Sequence, residues 1–156
     1  MKTRFSSHRL LIITLIGTVF VAIADGIAKI GALSLLVDRA IPILPGVAEL
    51  YLHKNMGVVA NTPLPMLVVI PLTVIILVVC VVWLCHSWKT QHRLSVGLIL
   101  LVGGATGNLL DRVVHGFTTD YLLLFGRSVI NVSDVLIVLG ILGILFSVQT
   151  TSPSKS

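Results

Sequence analysis

Four long apolar runs, separated by short polar stretches, organise this chain. No charge interrupts Leu10 to Ala24, and past Asp25 and Lys29 the apolar character continues to Leu36. Pro65 to Cys85 is likewise free of charge, Leu94 to Leu110 forms a third run, and Val129 to Val148 a fourth with Asp134 near its start. Crossing a bilayer takes about 20 predominantly apolar residues. Four transmembrane helices are therefore expected, at approximately 10–32, 65–85, 94–110 and 129–148. The intervening segments 37–64 and 111–128 hold the prolines and polar residues of extramembrane chain. Within them, Ala48 to His53 alternates as a strand would, and Asn55-Met56-Gly57 has turn character. Phe117 to Phe125 and Ser128 to Val132 are β-favouring and flank Gly126-Arg127, which predicts a short hairpin or re-entrant turn. The expected fold is an all-α integral membrane domain covering residues 1–156, four transmembrane helices with a small extramembrane β element on the outer face.

Composition agrees with that class. Hydrophobic residues make up 56% of the chain and charged residues only 11%, against about a quarter charged in soluble domains. The net charge of +5 is no sign of nucleic acid, because the basic residues are scattered and no aromatic-studded basic patch accompanies them. Its distribution indicates sidedness instead. Lys2, Arg4 and Arg9, then Lys89 and Arg93, then Lys155 occupy three segments that contain no acid. Those segments are expected to be cytoplasmic, with both termini on that side and all six acids at or just below the outer face. The basic start and Ala22-Ile23-Ala24 also fit a cleavable signal peptide, but the apolar run continues past that point and an uncleaved helix is the reading.

Carboxylates next to lipid are costly and point to function. Asp111, Asp120 and Asp134 fall between the third and fourth apolar runs, and Asp25 lies in the first. Asp25 and Lys29 share a helix face, as a structural ion pair or a support for a site. Asn108, Asp111 and Arg112 cluster at the end of the third span, as a structural network or part of a site. Asp120 and Asp134 are fourteen positions apart, too far for one helix face, and a turn at Gly126-Arg127 would let the chain return and bring them together. Two carboxylates in a dry site share a proton, since like charge raises one pKa. Such a pair can activate water and polarise a peptide carbonyl; ion-pair and proton-relay roles fit the spacing as well. The five histidines are spread along the chain, Cys80 and Cys85 lack the spacing of a disulfide or CxxC site, and no zinc ligand set, nucleophile elbow or phosphate loop is present. No metal or cofactor is expected.

These residues resemble the lipoprotein signal peptidases, or type II signal peptidases. The resemblance rests on Asp25-x-x-x-Lys29, Asn55-x-Gly57, Gly103-Gly-x-x-Gly-Asn108-x-x-Asp111-Arg112, Gly116-x-x-x-Asp120 and Asn131-x-x-Asp134, in that order on a four-span scaffold. It implies an intramembrane aspartic endopeptidase of the bacterial inner membrane that removes signal peptides from prolipoproteins just before a diacylglyceryl-bearing cysteine. By matching position it implies Asp120 and Asp134 as the catalytic pair. Asn55, Gly57, Asn108, Arg112 and Asn131 would line or brace the site, with Asp25, Lys29 and Asp111 supporting it. A monomer is expected, with membrane lipid and the lipidated precursor as partners.

The chain departs from the family pattern at Leu123, where a second acid is usual, and at Ile130 and Ser133 in place of the usual Phe and Ala. It also lacks the usual Phe within Met56-Gly57-Val58-Val59-Ala60, and the stretch from Asn55 to the second span is short. Two other functions are compatible with the residues alone. One is a non-cleaving relative that holds lipidated precursors or an inhibitor; the other is a small proton-coupled transporter using Asp25, Asp120 and Asp134 as relays.

Overall fold

The computed structural model describes residues 2–57 and 64–149, with side chains from residue 8. Val58 to Ala60, part of the departure after Asn55-x-Gly57, and the basic Lys155 lie outside the described residues. Four helices are long and apolar enough to cross a membrane: α1 (Lys2–Leu35), α2 (Met66–Ser87), α3 (His92–His115) and α4 (Val132–Gln149). At a rise of ~1.5 Å per residue, the 22 residues of α2 reach about 33 Å, close to the thickness of a hydrocarbon core. Side chains such as Phe20, Leu67, Val82 and Phe146 point outward on these helices, as lipid-facing residues do.

The helices are organised on α3, which packs against α1, α2 and α4. Its approach to α4 depends on residues without side chains. A Cβ on Gly97 would lie 2.8 Å from the carbonyl oxygen of Gly140, and one on Gly104 would collide with the carbonyl of Ser133. Small residues permit such backbone proximity where lipid offers no hydrophobic drive to associate. On its α2 side, α3 buries Leu94 and Leu98 against Cys80.

A four-stranded antiparallel sheet, in the order β1 (Ala40–Leu44), β2 (Ala48–Asn55), β3 (Thr118–Leu124) and β4 (Ser128–Ile130), covers the end of the bundle where α1 stops and α4 starts. Beneath it Tyr121 packs with Ala32 and Leu36 of α1. The predicted strand at Ala48–His53 is present and runs on to Asn55, and the predicted hairpin turns at Phe125-Gly126, both with positive φ.

Two differences from expectation have physical causes. Helix α3 does not end at 110 but continues to His115 and stops at Gly116, whose left-handed conformation (φ 76°) lets its N–H close onto the Arg112 carbonyl at 2.9 Å. Asp111 and Arg112, expected in a segment outside the span, thus lie within the helix, where neighbouring elements bury them. The chain after Val129 also remains extended through β4, and α4 starts only at Val132 because Asn131 caps it.

Candidate active site

Alternation along β3 divides its residues between two faces. Thr119 and Tyr121 point toward the helices: the Thr119 N–H and hydroxyl donate to Asp111, and the Tyr121 hydroxyl donates to Asp25 at 2.8 Å. Asp120 points the other way and is 1% exposed. Asn55 Nδ2 donates to its Oδ2 at 3.0 Å, and Asn131 Nδ2 donates to its Oδ1 at 2.7 Å. Burial is the main influence on this carboxyl. The Asn55 bond opposes it, the nearby charge of Asp134 adds to it, and the Asn131 bond and His53 oppose it. The net effect raises Asp120 to about 6.

Asp134 occupies the first turn of α4 in a reciprocal cap. Its N–H donates to Asn131 Oδ1 at 2.9 Å, and its Oδ2 accepts the Asn131 N–H at 3.2 Å. Its Oδ1 accepts from Asn108 Nδ2 at 2.7 Å. Asn131 therefore grips Asp134 with its backbone and side-chain oxygen while its amide nitrogen holds Asp120. The chain's return through β3, β4 and the start of α4 brings together two aspartates that the sequence places fourteen positions apart.

Asn55 is itself oriented, because its Oδ1 accepts the Gly57 N–H at 3.0 Å and leaves Nδ2 to face Asp120. This is the turn expected of Asn55-x-Gly57, and it aims the amide as well.

Behind the pair lies a second set of buried groups. Lys29, 4% exposed, reaches Asp25 at 3.1 Å, Asp111 at 3.7 Å and Asn108 Oδ1 at 2.8 Å. The last bond turns Nδ2 of Asn108 toward Asp134. Asp25 also accepts from the Val132 N–H at 3.0 Å and the Ser133 hydroxyl at 2.6 Å, so a carboxylate on α1 meets one N–H and one hydroxyl at the start of α4. Burial and the bond to Asp25 raise the Tyr121 hydroxyl, which stays protonated as the donor. His115 contacts Asp111 at 2.7 Å. Arg112 is buried near Asp134, Asp120 and Asp111, yet its Nε has no hydrogen-bond partner among the described residues.

All ten residues singled out in the sequence are thus at this end of the bundle. Tyr121, Ser133 and Thr119 were not among them. The places of Thr119 and Tyr121 on the face opposite Asp120 follow from strand alternation, whereas Ser133 stood out only as a departure from Ala. Leu123, where the resemblance would put a second acid, lies opposite Glu49 of β2. Among the described residues no group of three or more His, Cys, Asp or Glu could hold a metal ion.

Known proteins are similar to this chain in sequence and in fold. A lipoprotein signal peptidase from Bartonella quintana is 34% identical over 72% of this chain and 71% of its own. One from Clostridioides difficile is 32% identical over 84% of this chain and 86% of its own. A solved bacterial membrane enzyme superposes with a TM-score of 0.78 at 25% identity, covering 89% of this chain and 94% of that one. The family model described as signal peptidase (SPase) II matches residues 17–150. With most of its length matched, from the first helix to the end of the fourth, this chain belongs to the signal peptidase II family.

Proposed function

We propose that this protein removes signal peptides from prolipoproteins as an intramembrane aspartic endopeptidase, with Asp120 and Asp134 as its catalytic pair. The observation that carries the reading is the Asn131 bridge, whose side-chain amide donates to the carboxylate on β3 and whose backbone N–H donates to the carboxylate opening α4. A carboxyl brought up to about 6 takes a proton near neutral pH, and a charged neighbour makes the two share it.

In the proposed reaction Asp134 is ionised and takes a proton from water as its oxygen attacks the scissile carbonyl carbon. Protonated Asp120 donates to the carbonyl oxygen. As the tetrahedral intermediate collapses, Asp134 passes the proton taken from water to the leaving nitrogen, Asp120 takes back a proton from a hydroxyl of the intermediate, the C–N bond breaks, and the products are a carboxyl group and a free amine. Asn55, Asn108 and Asn131 hold the carboxylates in place, and Lys29, Asp25 and Asp111 hold the elements that carry them. Half-buried Asp134 gives water access to the pair, while Asp120 is enclosed.

The substrate is read as a precursor bearing a diacylglyceryl cysteine, with the enzyme acting as a monomer among membrane lipids and without nucleic acid. The aspartates and the sheet are assigned to the outer face of the bacterial inner membrane. Lys89 and Arg93, in the acid-free connection from α2 to α3, support a cytoplasmic position for the opposite end.

The test is processing of a diacylated precursor by purified protein beside Asp120→Asn and Asp134→Asn. Both substitutions should abolish cleavage while leaving a folded membrane protein. Cleavage retained by either variant would remove that residue from the pair.

A further inference from the structure

One cavity opens on the β1 side of β2, with His53, the cross-strand neighbour of Asp120, in its lining. It is an open depression of about 500 Å³ between the chain leaving α1, at Leu36 to Ala40, and β2 at Tyr51 to Lys54. Its cause is a mismatch in strand length. β1 pairs with β2 no further than Tyr51, whereas β2 continues to Asn55, so part of the β2 edge has no strand beside it.

Its lining includes Asp38 and Arg39 from the chain leaving α1 and His53 and Lys54 from β2. Neither Arg39 nor Lys54 makes an ion pair among the described residues, with Asp38 or with any other acid. Lys54 meets only the face of Phe117, with Nζ 5.3 Å from the ring centroid. Val37 of the lining is exposed, and further exposed apolar side chains flank it in the chain: Leu35 at the end of α1, and Ile41 and Ile43 on β1.

We infer that this cavity binds the phosphate ester of an anionic membrane lipid, with Arg39 and Lys54 as the charged contacts and the apolar flank against its acyl chains. Guanidinium presents a planar fork to phosphate oxygens and ammonium adds a mobile point charge. An open sheet edge adds backbone donors of the kind that receive anions. A soluble phosphate would use the same donors but not the apolar flank, which favours a lipid as the source. The inference concerns binding alone and does not depend on which residues hydrolyse the precursor.

The full chain in detergent would be titrated with dioctanoylphosphatidylglycerol, dioctanoylphosphatidylcholine and glycerol phosphate, and bound ligand counted by native mass spectrometry. The phosphatidylglycerol should bind more tightly than the phosphatidylcholine. R39Q/K54Q should weaken it about tenfold or more, from two charges lost. R127Q, which removes an exposed cation outside the cavity, should leave it unchanged. Dependence of phosphatidylglycerol binding on Arg39 and Lys54 supports the inference, and tighter binding of glycerol phosphate than of the lipid would overturn it in favour of a soluble anion. Equal retention by R39Q/K54Q and the unaltered chain overturns the inference. So does a variant that keeps the lipid but needs more precursor for half-maximal cleavage, since the cavity would then belong to the substrate.

Discussion

Asn131 has two separable tasks, and substitution can divide them. As the cap of α4 its Oδ1 accepts the Asp134 N–H at 2.9 Å, and as a link it donates to Asp120 at 2.7 Å. Asn131→Ala removes both. Loss of a cap costs about 1 kcal/mol, and loss of a hydrogen bond to a charged group ~1.5–3 kcal/mol. Asn131→Ser retains a capping oxygen but has no second donor, so it should be about 1 kcal/mol more stable than the alanine variant. Their effects on Asp120 should nevertheless be alike. The lost bond favours the ionised carboxylate, and without it burial meets less opposition. Asp120, already at about 6, then rises further. About 1.5 kcal/mol corresponds to roughly one pH unit. Protonated Asp120 persists to higher pH, so the alkaline limb of kcat/KM should move upward by about that amount in both variants. The assay is cleavage of a diacylated precursor from pH 5 to 9, roughly bracketing that limb, together with thermal unfolding in the same detergent. An unshifted alkaline limb in Asn131→Ser would refute the link, and equal stability of the two variants would refute the cap.

Three further outcomes follow from the same geometry. Asp25→Asn should destabilise the protein by about 3–5 kcal/mol, because it leaves Lys29 buried with a weakened set of partners; Asp25→Asn with Lys29→Met should lose less, and thermal unfolding of both variants is the check. Gly104→Ala places a methyl against the Ser133 carbonyl and displaces the turn that carries Asp134, so cleavage should fall and stability should drop by ~1–3 kcal/mol, measured by precursor processing and thermal unfolding. The third concerns pH: Asp120 rises from 3.8 to about 6 on folding, so across that window the native state binds more protons than the unfolded state. Stability should decline as pH climbs through it, by at most about 3 kcal/mol, and Asp120→Asn should flatten that part of the melting-temperature profile. An unchanged slope would contradict the burial argument.

The helices were legible because a bilayer leaves little choice: backbone polar groups must be satisfied within the segment, and the side chains must be apolar over its length. Their ends were less so. Hydropathy stopped α3 at Leu110 because charges follow, yet Asp111 finds Thr119 and Lys29 and stays in the helix. Asn131-x-x-Asp134 carried its own start signal for α4, since an amide three residues before an acid is a capping arrangement. Strand β1 was hidden by Pro42 and Pro45, but Pro42 is tolerated on an edge strand, where no partner needs its missing N–H. The Asp25 contacts with Tyr121 and Ser133 join residues roughly a hundred positions apart, and no local spacing announces such a meeting.

The division of charge between the two sets of carboxylates bears on the reaction. Lys29 lies within ion-pair distance of Asp25 and Asp111, and His115 contacts Asp111. Asp120 and Asp134 have no cation within ion-pair distance among the described residues, although buried Arg112 lies near both; their hydrogen bonds come from the amides of Asn55, Asn131 and Asn108 and from backbone N–H. The distinction matters because a cation in contact with a buried carboxylate favours its ionised form, whereas proton sharing requires that one member of a pair can become neutral. Neutral amides fix position with a weaker bias on charge, and burial then leaves Asp120 within reach of a proton. The hydrogen bonds on the scaffold carboxylates and those on the carboxylates assigned to hydrolysis therefore come from different partners, with Arg112 acting on both sets at longer range. Asn108 joins the two, taking its orientation from Lys29 through Oδ1 and passing only a neutral N–H to Asp134.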